Sequence, residues 1–203
     1  MNKTLLTLLF TLAVLPVFAA PTTDFFAAVR SGDRAQVKTL LRKNQKLAQT
    51  TDKKGQTPFL VAVTQKDLQM VYVLAPFSVL SAAGPRGNAF HIAAQNEDEP
   101  MLKLLMQITS ERNKALPQKM LNAPRNREDE TSLTSSDGNT PLHVAAKKCN
   151  TRIYNYFASN GADDTLENEY GQTPQKILTA CQKQKAWEAD YKKKQAAKKA
   201  KNK

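Results

Sequence analysis

Several residue types that build common functional sites are scarce in this 203-residue chain. Two cysteines are too few for a disulfide-rich scaffold, and two histidines leave little material for metal or acid–base sites. Seven glycines and ten prolines exclude a low-complexity linker protein. The sequence also lacks G-x-G-x-x-G, phosphate-loop and C-x-x-C motifs. With 41% apolar and 24% charged residues, it is expected to form one globular domain or two small ones.

The longest apolar run stands at the N-terminus. Lys3 precedes the uncharged segment 4–18, and Val17 and Ala19 supply small residues at the −3 and −1 positions of a cleavage site. An apolar run of about 15 residues is shorter than the ~20 needed to cross a bilayer. We therefore expect residues 1–19 to be a bacterial secretory signal peptide, rather than an uncleaved anchor. This predicts export of the mature chain to the periplasm.

A short motif recurs along the rest of the chain. GNTPLHVAA at residues 138–146 returns as GQTP at 171–174, which begins 33 residues later. Upstream copies are GQTPFLVA at 55–62 and NAFHIAA at 88–94. Each copy precedes a segment with apolar residues at helical spacing. The recurrence indicates a protein built from stacked repeats.

These repeats resemble the ankyrin repeat, which has a T-P-L-H-x-A signature and a 33-residue period. The resemblance implies an all-α solenoid of about five helix-turn-helix units joined by short turns or hairpin loops. Asn88-Ala89 in the third unit and Lys176 in the fifth depart from the signature. The five units are placed at about 22–51, 52–84, 85–118, 137–168 and 169–203.

Threonine–proline pairs are expected to begin the first helix of a unit. Threonine can cap the free N–H groups there, and proline at the first helical position loses no hydrogen bond. The pairs are Thr57–Pro58, Thr140–Pro141 and Thr173–Pro174.

His91 and His143 stand at the histidine position of the signature. The family uses this imidazole to tie the helix start to neighbouring backbone, which we favour over a catalytic base or a ligand pair. The acidic run at 128–130 is expected to be solvated. We therefore predict a non-enzyme without catalytic residues, cofactor or metal.

Cys149 and Cys181 occupy matching places near the ends of the first helices of the fourth and fifth units. Export would bring both into an oxidising compartment, where an even pair is a candidate disulfide. We expect this disulfide to pin the last unit, the alternative being two buried thiols.

Two segments depart from a plain stack of repeats within the predicted domain at 20–182. The first is an insertion at about 107–136, which contains a possible helix at 113–121. Long insertions of this kind either carry function or are tolerated surface loops. Both interpretations stay open here.

The second is the C-terminal segment 183–203, predicted to be a capping helix with a basic tail. It carries nine lysines against Glu188 and Asp190. Trp187 and Tyr191 lie four residues apart, and we expect this stripe to pack as a cap on the fifth unit. The lysines either form a solvated end or bind an anionic partner.

The function expected from the resemblance is binding of another protein, as a periplasmic adaptor or scaffold. Alternatives are an immunity protein that neutralises a secreted toxin, and an envelope-surface protein whose tail binds anionic lipid or polysaccharide. Export disfavours nucleic acid as the partner. Alignment with the concave ankyrin surface predicts a polar, mostly neutral or basic partner-binding face that suits an acidic or mixed protein surface. Its predicted residues are Lys53, Lys54, Gln56, Gln65, Arg86, Gln95, Asn139, Lys147, Lys148 and Tyr170.

Overall fold

The computed structural model describes residues 21–125 and 137–201, which form ten α-helices and one two-stranded hairpin. The predicted signal peptide at 1–19 and residues 126–136 of the predicted insertion lie outside the described residues. The helices are α1 (Pro21–Ser31), α2 (Arg34–Lys43), α3 (Pro58–Thr64), α4 (Leu68–Leu74), α5 (Ala89–Gln95), α6 (Glu99–Arg112), α7 (Leu116–Leu121), α8 (Pro141–Lys147), α9 (Thr151–Ser159) and α10 (Pro174–Lys201).

The first helices of the second, third and fifth units begin at a side-chain cap, which the threonine–proline pairs predict for α3 and α10. The Thr57 hydroxyl accepts from the Leu60 N–H at 3.3 Å, and proline takes the first helical position in α3. In α5, Asn88 replaces threonine, and its side-chain oxygen Oδ1 accepts from the Phe90 N–H at 3.0 Å. Both side chains satisfy N–H groups that have no partner within their own helix. The signature therefore fixes where these helices start.

The second helices share a different start. A residue with left-handed backbone ends the first helix, and the next residue is an Asp or Asn that caps the second helix. Left-handed backbone turns the chain sharply, which lets the two helices of a unit pack side by side. The residue pairs are Gly32–Asp33, Lys66–Asp67, Glu97–Asp98 and Cys149–Asn150.

The helices stack in two rows. In the inner row, α1, α3, α5, α8 and α10 contact one another in sequence, and α2, α4 and α6 do so in the outer row. Alanines let the inner helices approach closely, and Ala62, Ala93 and Ala145 are fully buried. Strands β1 (Ala83–Gly84) and β2 (Gly87–Asn88) form an antiparallel hairpin before α5. The architecture is thus the predicted helical solenoid, since no unit could bury its apolar face alone.

The extra length after the third unit is partly helical and packed. Helix α6 continues through Arg112, beyond the start predicted for the insertion, and Ile108 and Thr109 on it are buried. Helix α7 lies in the segment 113–121 and buries Met120 and Leu121. The segment 107–121 therefore packs onto the stack through these buried residues and does not form a projecting loop.

The last unit is a single long helix in the described residues. Leu178 in the first two turns of α10 is buried, and the helix contacts α8. The expectation that Trp187 and Tyr191 pack on the fifth unit is wrong, because they are 65% and 51% exposed. They stack on each other instead, with ring centroids 5.6 Å apart. Within 21–125 and 137–201, no helix combines the length and apolar character needed to cross a membrane.

A disulfide joins Cys149 to Cys181, with a Cα–Cα distance of 5.8 Å. This is the pairing that the sequence predicts. Cys149 lies in the turn between α8 and α9, and Cys181 lies in the second turn after the Thr173 cap of α10. Because α10 has a neighbouring unit on one side only, the disulfide holds its packed end against the fourth unit.

Breaking this disulfide should destabilise the C-terminal end of the stack. For a sequence separation of 32, loop closure predicts a loss of about 3–4 kcal/mol. Thermal unfolding followed by circular dichroism should show a lower Tm after reduction of the wild type. The double variant Cys149→Ser/Cys181→Ser should have a similarly low Tm and no response to reductant. Equal wild-type melting temperatures with and without reductant would contradict this role.

Candidate functional site

The turn tips and the C-terminal ends of the inner helices lie along one side of the stack, here called the inner face. At its first junction the Arg30 guanidinium donates to Asp52 at 2.5 Å, which ties α1 to the next turn. The Gln65 amide donates to the Arg30 carbonyl oxygen at 2.8 Å, so the ends of α1 and α3 are adjacent. The face comprises the turn segments 52–55, 84–87, 137–139 and 168–171 with the last residues of α1, α3, α5 and α8.

Most of the residues predicted for partner binding are accessible on this face. The structure leaves a mixture of lysine, glutamine and tyrosine side chains exposed along several units. Tyr170 is the largest of these, at 63% exposure. Gln56, Arg86 and Lys148 are half-buried. The exposed residues are Lys53, Lys54, Gln65, Gln95, Lys147 and Tyr170.

Asn139 is the exception, and its assignment to a binding surface is corrected by its burial. Only 1% of the residue is exposed. Its side chain accepts from the Asn168 amide at 3.0 Å and its amide nitrogen donates to Asp137. Its carbonyl oxygen accepts from the Arg125 backbone N–H at 2.9 Å. Asn139 thus links three segments of the chain and cannot contact a partner.

A polar depression of about 360 Å³ lies on the inner face between the third and fourth units. In the lining of this depression, the Arg125 guanidinium forms an ion pair with Asp137, and Nε of Arg125 donates to the carboxylate at 3.1 Å. Lys147 lies 3.5 Å from the same carboxylate. Sequence reasoning missed Arg125 and Asp137, because only the fold brings together the two ends of the segment 126–136. The residues that line the depression include Gln95, Arg125, Asp137, Lys147 and Lys148.

The Asp137 carboxylate is held in its charged form. Burial alone would raise its pKa, but the Asn139 backbone N–H and the Arg125 guanidinium outweigh burial and lower the pKa below its usual range. The Asp137 carboxylate therefore stays charged at neutral pH, where Arg125 and Lys147 compensate it. With two cations and one carboxylate, this cluster has a net positive charge.

His91 joins the third unit to the fourth through both ring nitrogens. Its Nδ1 accepts from the Asn88 backbone N–H at 3.2 Å, and its Nε2 donates to the Asn139 carbonyl oxygen at 2.9 Å. This pattern requires the neutral Nε2–H tautomer. Burial lowers the pKa of His91 to about 4, and the nearby positive charge of Arg125 acts in the same direction. The Asn139 carbonyl and Asp137 oppose this shift without reversing it.

His143 repeats this arrangement one unit later. Its Nδ1 accepts from the Thr140 N–H at 3.1 Å, and its Nε2 donates to the Gln172 carbonyl oxygen at 2.9 Å. Burial also lowers the pKa of His143. Because both ring nitrogens of each histidine are engaged with backbone, these imidazoles connect units and are not positioned for proton transfer to a ligand.

The family described as "Ankyrin repeats (3 copies)" matches residues 25–116, and the family described as "Ankyrin repeat" matches residues 137–169. The two matches cover most of the stacked units. They leave out α7 after Leu116 and the whole of α10. No curated protein shows a significant sequence match to the chain.

Stability should fall as the pH drops from 6.5 towards 4, because of His91. Above pH 6.5 the imidazole is neutral in both states. Below it, the unfolded chain binds a proton that the buried ring resists until about pH 4. This one group should therefore cost about 2–3 kcal/mol of unfolding free energy between pH 7.5 and 4.5.

Urea unfolding of the wild type and His91→Gln at these two pH values measures this contribution. The variant should be less stable at pH 7.5, yet lose less stability on acidification. His143 remains in both proteins, and Asp137 responds at lower pH, so the difference reports on His91. An identical pH dependence in the two proteins would show that His91 is not buried in its neutral form.

Proposed function

The chain belongs to the ankyrin-repeat family, whose repeats mediate protein–protein interaction, and from this we propose that it is an exported adaptor that binds another protein through its inner face. The observation that carries the proposal is the run of exposed polar and basic side chains along several joined units. Because backbone and side-chain hydrogen bonds hold the units together, this surface is ordered before it meets a partner. Little conformational entropy is then lost on binding.

The chemistry of the inner face indicates an acidic or mixed partner surface. Lys53 and Lys54 are exposed at one turn, and Lys147 is exposed two units further on. The two acids nearest to them, Asp52 and Asp137, are already paired with arginines. Lys147 shares Asp137 with Arg125, so this cluster keeps an excess positive charge. Carboxylates of a partner would therefore find the charges of Lys53 and Lys54 and of this cluster on the inner face. Tyr170 adds an exposed aromatic ring at its far end, a residue type common in interface hot spots.

The proposed adaptor has no catalytic step. The ankyrin repeat is typically a non-catalytic interaction module. The engagement of both ring nitrogens in His91 and His143 with backbone supports this, because it removes the two residues best suited to acid–base chemistry.

The proposed location is the periplasm. Its support is the leader pattern at 1–19, together with a pair of cysteines that form a disulfide in the folded chain. Expression of the full chain in a bacterial host should yield a periplasmic product that begins at Ala20. N-terminal sequencing of the fractionated protein checks this, and a cytoplasmic product that retains Met1 would overturn it.

A pull-down with the tagged mature chain should recover a single main protein from periplasmic extract of the source cell. Shape and hydrogen bonds contribute to such a complex, so we expect it to survive a high-salt wash. The double variant Lys53→Glu/Gln95→Glu changes two exposed residues of the inner face and should weaken recovery at least about tenfold. Mass spectrometry of the bound fractions gives the measurement.

The matched control is Gln36→Glu/Lys38→Glu, which makes the same charge change at exposed positions of α2 in the outer row. It should bind as the wild type does. Equal loss in both variants would argue against the inner face, and recovery of no protein above the tag alone would refute the adaptor proposal. The recovered partner could be a toxin from which co-expression of this chain protects the cell. In that case the proposed adaptor is an immunity protein.

A further inference from the structure

The exposed part of α10, residues 182–200, is a basic arm that the packing of the repeats does not explain. The last buried residue of the helix is Leu178, and the disulfide at Cys181 fixes the base of the arm. From there, about 19 residues at 1.5 Å each extend the helix by roughly 28 Å. Its side chains are exposed apart from half-buried Gln195. The arm therefore presents its side chains to the surroundings.

One side of the arm combines aromatic rings with lysines. Trp187 and Tyr191 stack with their ring planes 18° apart. Lys183 stands four residues before Trp187, and Lys194 and Lys198 stand three and seven residues after Tyr191. These spacings place all five side chains on one helix face. An aromatic pair thus lies between cations at both ends.

The arm has a strong excess of positive charge. Between 183 and 200 the sequence holds seven lysines and two acids. Both acids already have local partners: Asp190 forms an ion pair with Lys194 at 2.7 Å, and Glu188 accepts from the Gln184 amide at 3.1 Å. Charge complementarity therefore requires an anionic partner, and a second copy of the same arm would be repelled.

We propose that this arm binds the surface of an anionic phospholipid bilayer. Trp and Tyr rings favour the headgroup region, where one edge is wet and the other apolar. Lysine stems can lie along the surface while their ammonium groups reach lipid phosphates. A protein groove that takes a helix needs apolar anchors over two or more turns, and here lysines follow the aromatic pair. A broad anionic surface matches this pattern better than a groove.

Trp187 is the only tryptophan in the chain, so it reports directly on this binding. It is 65% exposed in the unbound protein. Adding vesicles of phosphatidylcholine and phosphatidylglycerol (3:1) to the mature protein should shift its emission to shorter wavelength. Vesicles of phosphatidylcholine alone should not. Binding measured by co-sedimentation should weaken as sodium chloride is raised.

The variant Lys183→Gln/Lys194→Gln/Lys198→Gln removes the three lysines that share a helix face with Trp187 and tests the charge. At about fivefold per lysine at low salt, affinity for the anionic vesicles should fall about 100-fold. The control Lys38→Gln/Lys43→Gln/Lys46→Gln removes three exposed lysines of the first unit and should bind as the wild type does. Both variants keep Trp187, so the same signal is read in each.

Three results would overturn the proposal: no emission shift with the anionic vesicles, equal binding to both vesicle types, or equal affinity of the two triple variants. A shift with the anionic polysaccharide alginate but not with vesicles would also overturn it. The inner-face variant Lys53→Glu/Gln95→Glu should bind vesicles normally. Failure of the bilayer proposal and failure of the adaptor proposal are therefore separable.

Discussion

The hydrogen bond from His91 Nε2 to the Asn139 carbonyl oxygen is the contact on which the middle of the stack depends. The two residues are 48 positions apart, and the chain between them includes α6, α7 and the segment 126–136. Such a long connection does not hold two units in register by itself. A buried neutral imidazole does so because its two nitrogens satisfy one backbone donor and one backbone acceptor at the same time.

Other contacts at this junction reinforce that hydrogen bond. The Asn88 amide donates to the Met120 carbonyl oxygen at 2.8 Å, which joins the start of α5 to the end of α7. The Arg125–Asp137 ion pair then brings together the chain ends on either side of the segment 126–136. Arg125 and Asp137 also line the depression on the inner face. The ion pair that joins these two parts of the chain therefore also shapes the candidate binding surface.

The two ends of the stack are completed in different ways. The inner-row helix α1 is amphipathic, with Phe25, Phe26, Ala28 and Val29 buried and its other positions exposed or half-buried. At the other end, α10 is packed only as far as Leu178 and is fastened by the disulfide at Cys181. Residues 182–200 pack against no helix of the stack, so the apolar spacing that the repeats need does not constrain them. The arm can therefore consist largely of lysine, alanine and glutamine.

The repeat architecture, the helix starts at Thr57, Thr140 and Thr173, and the pairing of Cys149 with Cys181 could be predicted from the sequence. These features follow from local caps, from apolar spacing and from equivalent places in successive units, all of which are written in short segments of chain. The surface positions within repeats were accessible to the same reasoning, with Asn139 as the exception. Its burial arises from contacts with Arg125, Asp137 and Asn168, most of which lie outside its own repeat motif.

Which side chains meet across units, and which remain exposed, depends on how the units are arranged in space. Trp187 and Tyr191 have the spacing of a buried stripe, yet nothing in that spacing shows whether a neighbouring helix is within reach. The fifth unit continues as one helix, so the stripe has no surface of the stack to pack on within the described residues. Arg125 and Asp137 are likewise 12 positions apart, and only the folded chain brings their side chains together. Periodicity reports the face of a helix, whereas contact depends on where the rest of the chain lies.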